Sequence, residues 1–236
     1  MSETWYSALP RDVAVLLLAA GRGERAGAGE PKQFRPIAGV PMLLRALRPF
    51  ASHPDVGYII IALPEAIAAQ PPDWLRAVRG ERVQLVAGGP TRRGSVVRCL
   101  KALPPAAAVV LVHDAARPFV SRETIDAVIE IARQGEGAVA AVPVSDTLKA
   151  ADPQLVITAT QPRAGLWRAQ TPQGFPRAML EDAHAGSSPD ADATDDAMLA
   201  EQRGHRLRIV PDSTLNVKVT STQDFVLADA MASRLA

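Results

Sequence analysis

An α/β fold with a single doubly wound, mostly parallel sheet is predicted by three features of this 236-residue chain. Short apolar runs alternate with longer amphipathic stretches. The first run, V-A-V-L-L-L at 13–18, shows no polar alternation. The most distinctive motifs fall immediately after such runs. A six-residue apolar run of this kind reads as a strand buried on both faces, the environment of a parallel strand covered by helices on either side. Strands alternating with helices place their connections on both faces of one sheet.

Strands are predicted at 13–18, 58–63, 82–86, 108–113, 137–142 and 207–210, each a short apolar run. Between them, 42–52, 91–103, 122–134, 177–185 and 194–202 carry helical periodicity. T-D-D at 194–196 supplies a cap and an acidic first turn for the last of these helices, after a polar loop at 186–193. The alternation breaks at 145–173, where V-I-T-A-T-Q suggests extended chain without a crossover helix. A projecting hairpin arm is expected there, with Asp152 and Pro153 as its turn signal. No repeat or linker divides the chain, so residues 1–236 are expected to form one domain. Residues 1–12 read as a short extension, without the basic start and apolar run of a signal peptide.

Twenty-six Lys and Arg face 25 Asp and Glu, a balance that excludes a strong overall field for nucleic acid. Cationic chemistry must be local. No stretch reaches the 18 or so uncharged apolar residues of a membrane span. The single Cys99 permits no intrachain disulfide and suits a reducing cytoplasm. Its apolar helical setting marks it as a core thiol.

Directly after the first strand comes a glycine-rich loop carrying Arg22, Arg25 and Lys32. Bare amides beside cations at a strand end suit phosphates, which makes a nucleotide the first candidate ligand. Gly21, Gly23 and Ala26 satisfy the dinucleotide pattern G-x-G-x-x-A only weakly. Gly27, Gly29 and Pro31 interrupt the helix that pattern requires, and no carboxylate ends the second strand. No G-K-[ST] is present for a Walker A loop. Gly21, Gly88, Asp114 and Ser145 each follow a predicted strand. Four separated motifs thus meet at the carboxyl edge, where such sheets bind ligands.

A-A-G-x-G-x-R, ending in Arg25, and P-K-Q-F, containing Lys32, resemble the signature of nucleotidyltransferases that load sugar or polyol phosphates onto nucleotides. G-G-P-T-R-R-G-S-V (88–96), V-H-D-A-A-R-P (112–118), D-T-L-K (146–149), T-P-Q-G-F (171–175), T-D-D-A (194–197) and N-V-K-V-T (216–220) follow in order. The whole set resembles the 2-C-methyl-D-erythritol 4-phosphate cytidylyltransferase family of non-mevalonate isoprenoid synthesis, over almost the entire chain. The resemblance implies a nucleotidyltransferase (Rossmann-like) architecture, CTP and methylerythritol phosphate as substrates, and a homodimer that exchanges the arm. It implies Mg²⁺ held mainly through CTP phosphates and water, with no protein metal cage.

Residue by residue, the resemblance makes Arg25 and Lys32 the catalytic cations. Ala19, Ala20, Gly21, Gly89 and Ser95 fall to cytosine recognition, Ser95 either capping its helix or bonding the base. Asp114 is implied at the ribose or metal waters and Arg117 at the methylerythritol phosphate. Thr147, Arg163, Thr171 and Lys218 are implied to hold the second substrate. Arg92 is expected to brace its loop and Arg93 to be a surface charge, while His113 reads as a packed strand-end histidine. Gly174 stands where the family commonly has a bulky residue. The rival readings are a ribitol 5-phosphate cytidylyltransferase and a catalytically silent nucleotide-binding regulator.

Overall fold

The computed structural model of the chain describes residues 11–21, 31–78, 80–185 and 193–235. Arg22, Arg25, the first ten residues and nearly all of the loop expected at 186–193 lie outside the described residues.

The apolar run after the N-terminal extension forms β1 (Val13–Leu18). A 3-10 turn at Lys32–Phe34 leads to the ribbon β2 (Pro36–Ile37) and β3 (Val40–Pro41), helix α1 (Met42–Ala51) and β4 (Val56–Leu63). Short helices α2 (Glu65–Ala69) and α3 (Asp73–Arg76) precede β5 (Val83–Ala87), α4 (Arg92–Lys101), β6 (Val109–Asp114), α5 (Arg122–Arg133) and β7 (Gly137–Pro143). A hairpin of β8 (Leu148–Ala151) and β9 (Ile157–Gln161) then feeds β10 (Trp167–Pro176). The chain ends with α6 (Arg177–Ala185), α7 (Asp196–Gln202), β11 (Leu207–Pro211) and α8 (Thr222–Leu235).

Seven strands make the main sheet in the order β11-β7-β10-β6-β1-β4-β5. Every neighbouring pair is parallel except those of β10, which runs antiparallel to both β6 and β7. From β1 the chain moves outward to β4 and β5, then returns to β6 on the other side of β1. That reversal opens a crevice at the carboxyl ends of β1 and β6. Alternate β1 residues serve two cores. Val13, Val15 and Leu17 meet α1 and α5 through Leu43, Phe50, Ile125 and Val128. Ala14 and Leu16 meet α4, α6 and α7 through Val96, Leu180 and Leu199. Cys99 is buried in the second core, where burial pushes its thiol up to about 12. Among the described residues no helix is long and apolar enough to cross a membrane.

Two elements depart from the sequence expectation. The arm expected over 145–173 is shorter, because from Trp167 onward the chain is β10, a strand in the middle of the sheet. Its ladder to β7 is interrupted between Ala169 and Gln173, so Pro172 falls where no regular pairing is needed. Helix α8 was not expected at all. Phe225, Ala228 and Ala232 give it a buried face of mostly small side chains, while Val226 and Leu227 point outward, so its apolar stripe is blurred. It packs on Ile37, Met42 and Val219. The Arg35 guanidinium lies 4.2 Å from the Phe225 ring centre, and the Ala38 N–H donates to Asp229 at 2.7 Å.

Gly174 of β10 has a packing reason. A Cβ there would stand 2.4 Å from Val128 Cγ1 and 2.8 Å from Leu111 Cδ2, so α5 lies directly on the strand. Gly174→Ala is expected to cost about 1–3 kcal/mol through overpacking, which lowers the thermal midpoint by roughly 2–4 °C for each kcal/mol in a chain this size. Adding Val128→Ala removes the obstructing methyl. The double variant should then melt higher than the sum of the single effects allows, and strict additivity would refute the contact.

Candidate active site

Ala19 follows β1 and its N–H donates to Ala62 O at 2.9 Å, extending the parallel ladder one residue toward the crevice. Across from it, Gly88 leaves β5 and donates to Leu63 O at 2.7 Å. The two loops touch: a Cβ on Gly88 would lie 2.2 Å from Ala20 Cβ, and one on Gly89 2.5 Å from the Gly94 carbonyl carbon. Glycine is therefore required by close approach rather than by dihedral angle. Thr91 caps α4, its Oγ1 accepting from Gly94 N at 3.0 Å. Ser95 is thus not the cap, contrary to one expectation. Its buried hydroxyl accepts from Gly89 N at 3.1 Å and donates to Thr91 O at 3.1 Å, which folds the loop around it.

These loops frame a cleft of about 930 Å³. Ala19, Ala20, Gly21, Lys32, Gly89, Arg92, Ser95, Asp114 and Lys218 all line it. Lys32 Nζ donates to Val219 O at 3.0 Å, fixing the ammonium at the wall. Asp114, the last residue of β6, lies between two cations. Its Oδ2 is 2.7 Å from Lys218 Nζ and its Oδ1 is 3.5 Å from Arg92 Nε. Burial alone would raise this carboxyl, but Arg92 and then Lys218 outweigh it and hold it down at about 2. Arg92 is gripped from behind by Asp196, whose Oδ2 accepts from Nη1 at 2.7 Å. Asp196 is ionised despite burial because His184 and Arg92 both face it.

Behind the floor a directional chain of hydrogen bonds sets His113. Asp114 N–H donates to Thr171 Oγ1 at 3.1 Å, and that hydroxyl pairs with His113 Nδ1 at 3.1 Å. His113 Nε2 lies 3.0 Å from Arg117 O, a pure acceptor, so the proton sits on Nε2 and Nδ1 accepts from Thr171. Burial pushes His113 down to about 4, more than the Arg117 carbonyl raises it. Asn216 completes the wall: its carbonyl accepts from Arg117 Nη1 at 2.7 Å and Gln170 Nε2 at 3.0 Å, and its Nδ2 donates to Thr171 O at 2.8 Å.

The family model for 2-C-methyl-D-erythritol 4-phosphate cytidylyltransferase matches residues 13–234. The chain belongs to that cytidylyltransferase family. A protein of that name from Salinibacter ruber is 44% identical over 222 residues, covering 93% of this chain and 92% of its own. One from Streptomyces coelicolor is 43% identical over 235 residues, covering 95% and 86%. The crystal structure of the Thermus thermophilus cytidylyltransferase superposes with a TM-score of 0.78 at 37% identity, covering 94% of this chain and 99% of that one.

Set against the residues implied by the cytidylyltransferase motifs, Lys32, Ala19, Ala20, Gly21, Gly89, Ser95, Asp114 and Lys218 come together at the cleft. Four do not line it, and Thr171 and Arg117 among them are corrections. Thr171 is buried and its hydroxyl is committed to Asp114 and His113, so it shapes the floor instead of meeting phosphate. Arg117 has turned inward to the Asn216 carbonyl. Arg93 is not a free surface charge either: α6 packs over the start of α4, and Arg93 Nη2 donates to His184 O at 2.7 Å. Lys218 lies outside any strand, and Val219 beside it is buried. Thr147 and Arg163 lie on the exposed hairpin, where Arg163 donates to Ser145 O, and neither lines the cleft. Arg98, which lines the cleft and donates to Gly88 O at 2.7 Å, was missed; it sits in mid-helix, away from every motif end. Asp196 was read only as a first-turn acid, and nothing in its spacing reveals its reach to Arg92.

His113 gives a pH test. Its native pKa, about 4, lies below the ordinary value of 6.5. Between those values the unfolded chain binds more protons, so the contribution to stability is present above 6.5 and is lost as pH falls toward 4. That loss is on the order of 3 kcal/mol. Urea unfolding measured from pH 7 to 4 should show a shallower decline for His113→Gln than for the wild type. Identical slopes would exclude His113 as the source.

Proposed function

We propose that this chain transfers the cytidylyl group of CTP to 2-C-methyl-D-erythritol 4-phosphate, giving 4-diphosphocytidyl-2-C-methyl-D-erythritol and pyrophosphate. The observation that carries this reading is the cleft at the sheet's reversal point, lined by the small residues Ala19, Ala20, Gly21 and Gly89, by Lys32, and by Asp114 with Arg92 and Lys218 against it. Neither ribitol 5-phosphate as the substrate nor a silent regulator is favoured over it.

An oxygen of the phosphate monoester attacks the α-phosphorus of CTP, the bond to the β-phosphate breaks, and pyrophosphate leaves. The nucleophile is already an anion, so no general base is needed. The obstacle is the approach of two polyanions and the charge on the leaving group, which fixed cations offset. Lys32, anchored by Val219 O, supplies a compact charge near the α-phosphate. Arg25 is assigned to the leaving phosphates on its motif position alone. Backbone groups of Ala19–Gly21 and Gly89 read the cytosine edge; the Ser95 hydroxyl, bonded at both ends, supports the loop that presents them. Asp114 orients Lys218 toward the incoming monoester.

Among the described residues no cluster of three His, Cys, Asp or Glu is arranged for a metal ion. Asp114 and Glu65 are the carboxylates that line the cleft, and both oxygens of Asp114 face cations. This donor set would suit Mg²⁺ carried on the triphosphate, with Asp114 the residue that would hold it through water. When bound, the ion neutralises charge on the phosphates.

The β8–β9 hairpin pairs only with itself, and Leu155, Val156 and Ile157 on it are 85%, 60% and 62% exposed. In this reading the hairpin docks on a second copy and brings Thr147 and Arg163 to the partner's site, so the working unit is a homodimer. The setting proposed is the cytoplasm.

Pyrophosphate release from CTP and a panel of polyol phosphates tests the activity; a higher kcat/KM with ribitol 5-phosphate would replace the substrate named here. Lys32→Ala should lower kcat by on the order of a hundredfold or more with little change in CTP binding. A loss confined to KM would make Lys32 a ground-state contact only.

The exchanged arm has its own test. Lys32→Ala and Arg163→Ala homodimers should each be nearly inactive. After verified subunit exchange in equal amounts, about half the dimers are mixed, and one site in each is intact, restoring roughly a quarter of wild-type sites. If Arg163 acts within its own chain, mixing restores nothing.

A further inference from the structure

We propose that His184 is a positioning residue for cytidylyl transfer, holding Arg92 against Asp114 through the buried carboxylate of Asp196. The proposal rests on the functional reading of the cleft given above. His184 closes α6 and does not line the cleft. Its ring is buried, with Nε2 3.0 Å from Asp196 Oδ1. The other oxygen of Asp196 meets Arg92 Nη1 at 2.7 Å, and Arg92 Nε reaches Asp114 at 3.5 Å. Three side chains therefore connect the end of α6 to the carboxylate that orients Lys218.

Asp196 has a side chain only 1% exposed, so its charge must be matched on both oxygens. Without the ring donor, Oδ1 is left buried and unsatisfied. The carboxylate then rotates toward Arg92 or takes up a proton, and either change alters how Arg92 addresses Asp114. The start of α7 cannot drift to compensate, because Gln173 of β10 holds it: Ala197 N–H donates to Gln173 Oε1 at 3.0 Å, and Gln173 Nε2 donates to Asp195 at 2.8 Å. The His184 carbonyl accepts from Arg93 Nη2 at 2.7 Å. That backbone contact persists in side-chain variants, which isolates the link through Asp196.

His184→Leu fills similar volume without a donor, whereas His184→Gln places an amide N–H where Nε2 stood. His184→Leu should lower kcat/KM for methylerythritol phosphate about tenfold while CTP affinity stays within about twofold, and His184→Gln should stay within about threefold of wild type. A second readout needs no substrate: exchange of the Arg92 Nε–H with water, followed by NMR, should be slow in wild type and His184→Gln and fast in His184→Leu. Wild-type kcat/KM and slow exchange in His184→Leu would overturn the proposal. Equal loss of activity in both variants, in step with falling thermal midpoints, would overturn it too, leaving His184 a packing residue. The expected exchange pattern in a wild-type protein that transfers no cytidylyl group would uphold the link while overturning the functional reading beneath it.

Discussion

A carboxylate at the end of β6, largely shielded from water, organises the open edge of the sheet. Asp114 would be costly to ionise there on its own. It is ionised because Lys218 and Arg92 converge on it, and each cation arrives on a different piece of chain. Lys218 comes from the N-V-K-V-T segment beside Val219, the residue whose carbonyl also anchors Lys32. Arg92 comes from the first turn of α4, whose preceding loop also lines the cleft. One charge thus draws together the loop after β5, the end of β6 and the segment before α8. Preorganised cations are what transfer between two polyanions requires, since their orientation costs nothing at the moment of reaction.

The support behind Asp114 is polar, which is unusual for the middle of a sheet, and the hydrogen bonds show why it is tolerated. Thr171, Gln170 and Gln173 are all buried on β10. Thr171 joins Asp114 to His113, Gln170 meets the Asn216 carbonyl, and Gln173 fastens α7. Asp212 ties the knot to α5 by accepting from Thr124 Oγ1 at 2.7 Å and from Asn216 Nδ2 at 2.6 Å. Such a network costs little when its members are paired and much when one is removed. It fixes the register of β10, which hydrophobic packing alone would leave weakly specified at so polar a strand.

What could be read from the chain divides along the same line. β1, β4 and β6 are continuous apolar runs, and their burial follows directly from composition. The cleft residues after β1 and β5 were legible because small residues at a strand end have few other uses. β10 was not legible: Pro and Gly are poor strand formers, the Gln and Thr side chains break any apolar run, and only the pairing partners on β6 and β7 explain them. Arg93, Arg117 and Thr171 were misplaced for a related reason. A polar side chain near a phosphate motif looks available until the chain that covers it is known, and α6, Asn216 and His113 lie far away in sequence. Helix α8 escaped notice because alanines carry much of its buried face.

The antiparallel course of β10 also decides where the hairpin can stand. In a parallel sheet, chain leaving β7 at the carboxyl edge must cross back over a face before it can enter the next strand. An antiparallel strand starts at the carboxyl edge and needs no crossover. The segment between β7 and β10 is therefore free to project, and it does so from the edge that carries the cleft. The same strand continues inward to Thr171 and Gln173, the side chains that set Asp114 and the start of α7. One strand, Trp167–Pro176, therefore joins the end of the hairpin segment to the floor of the site.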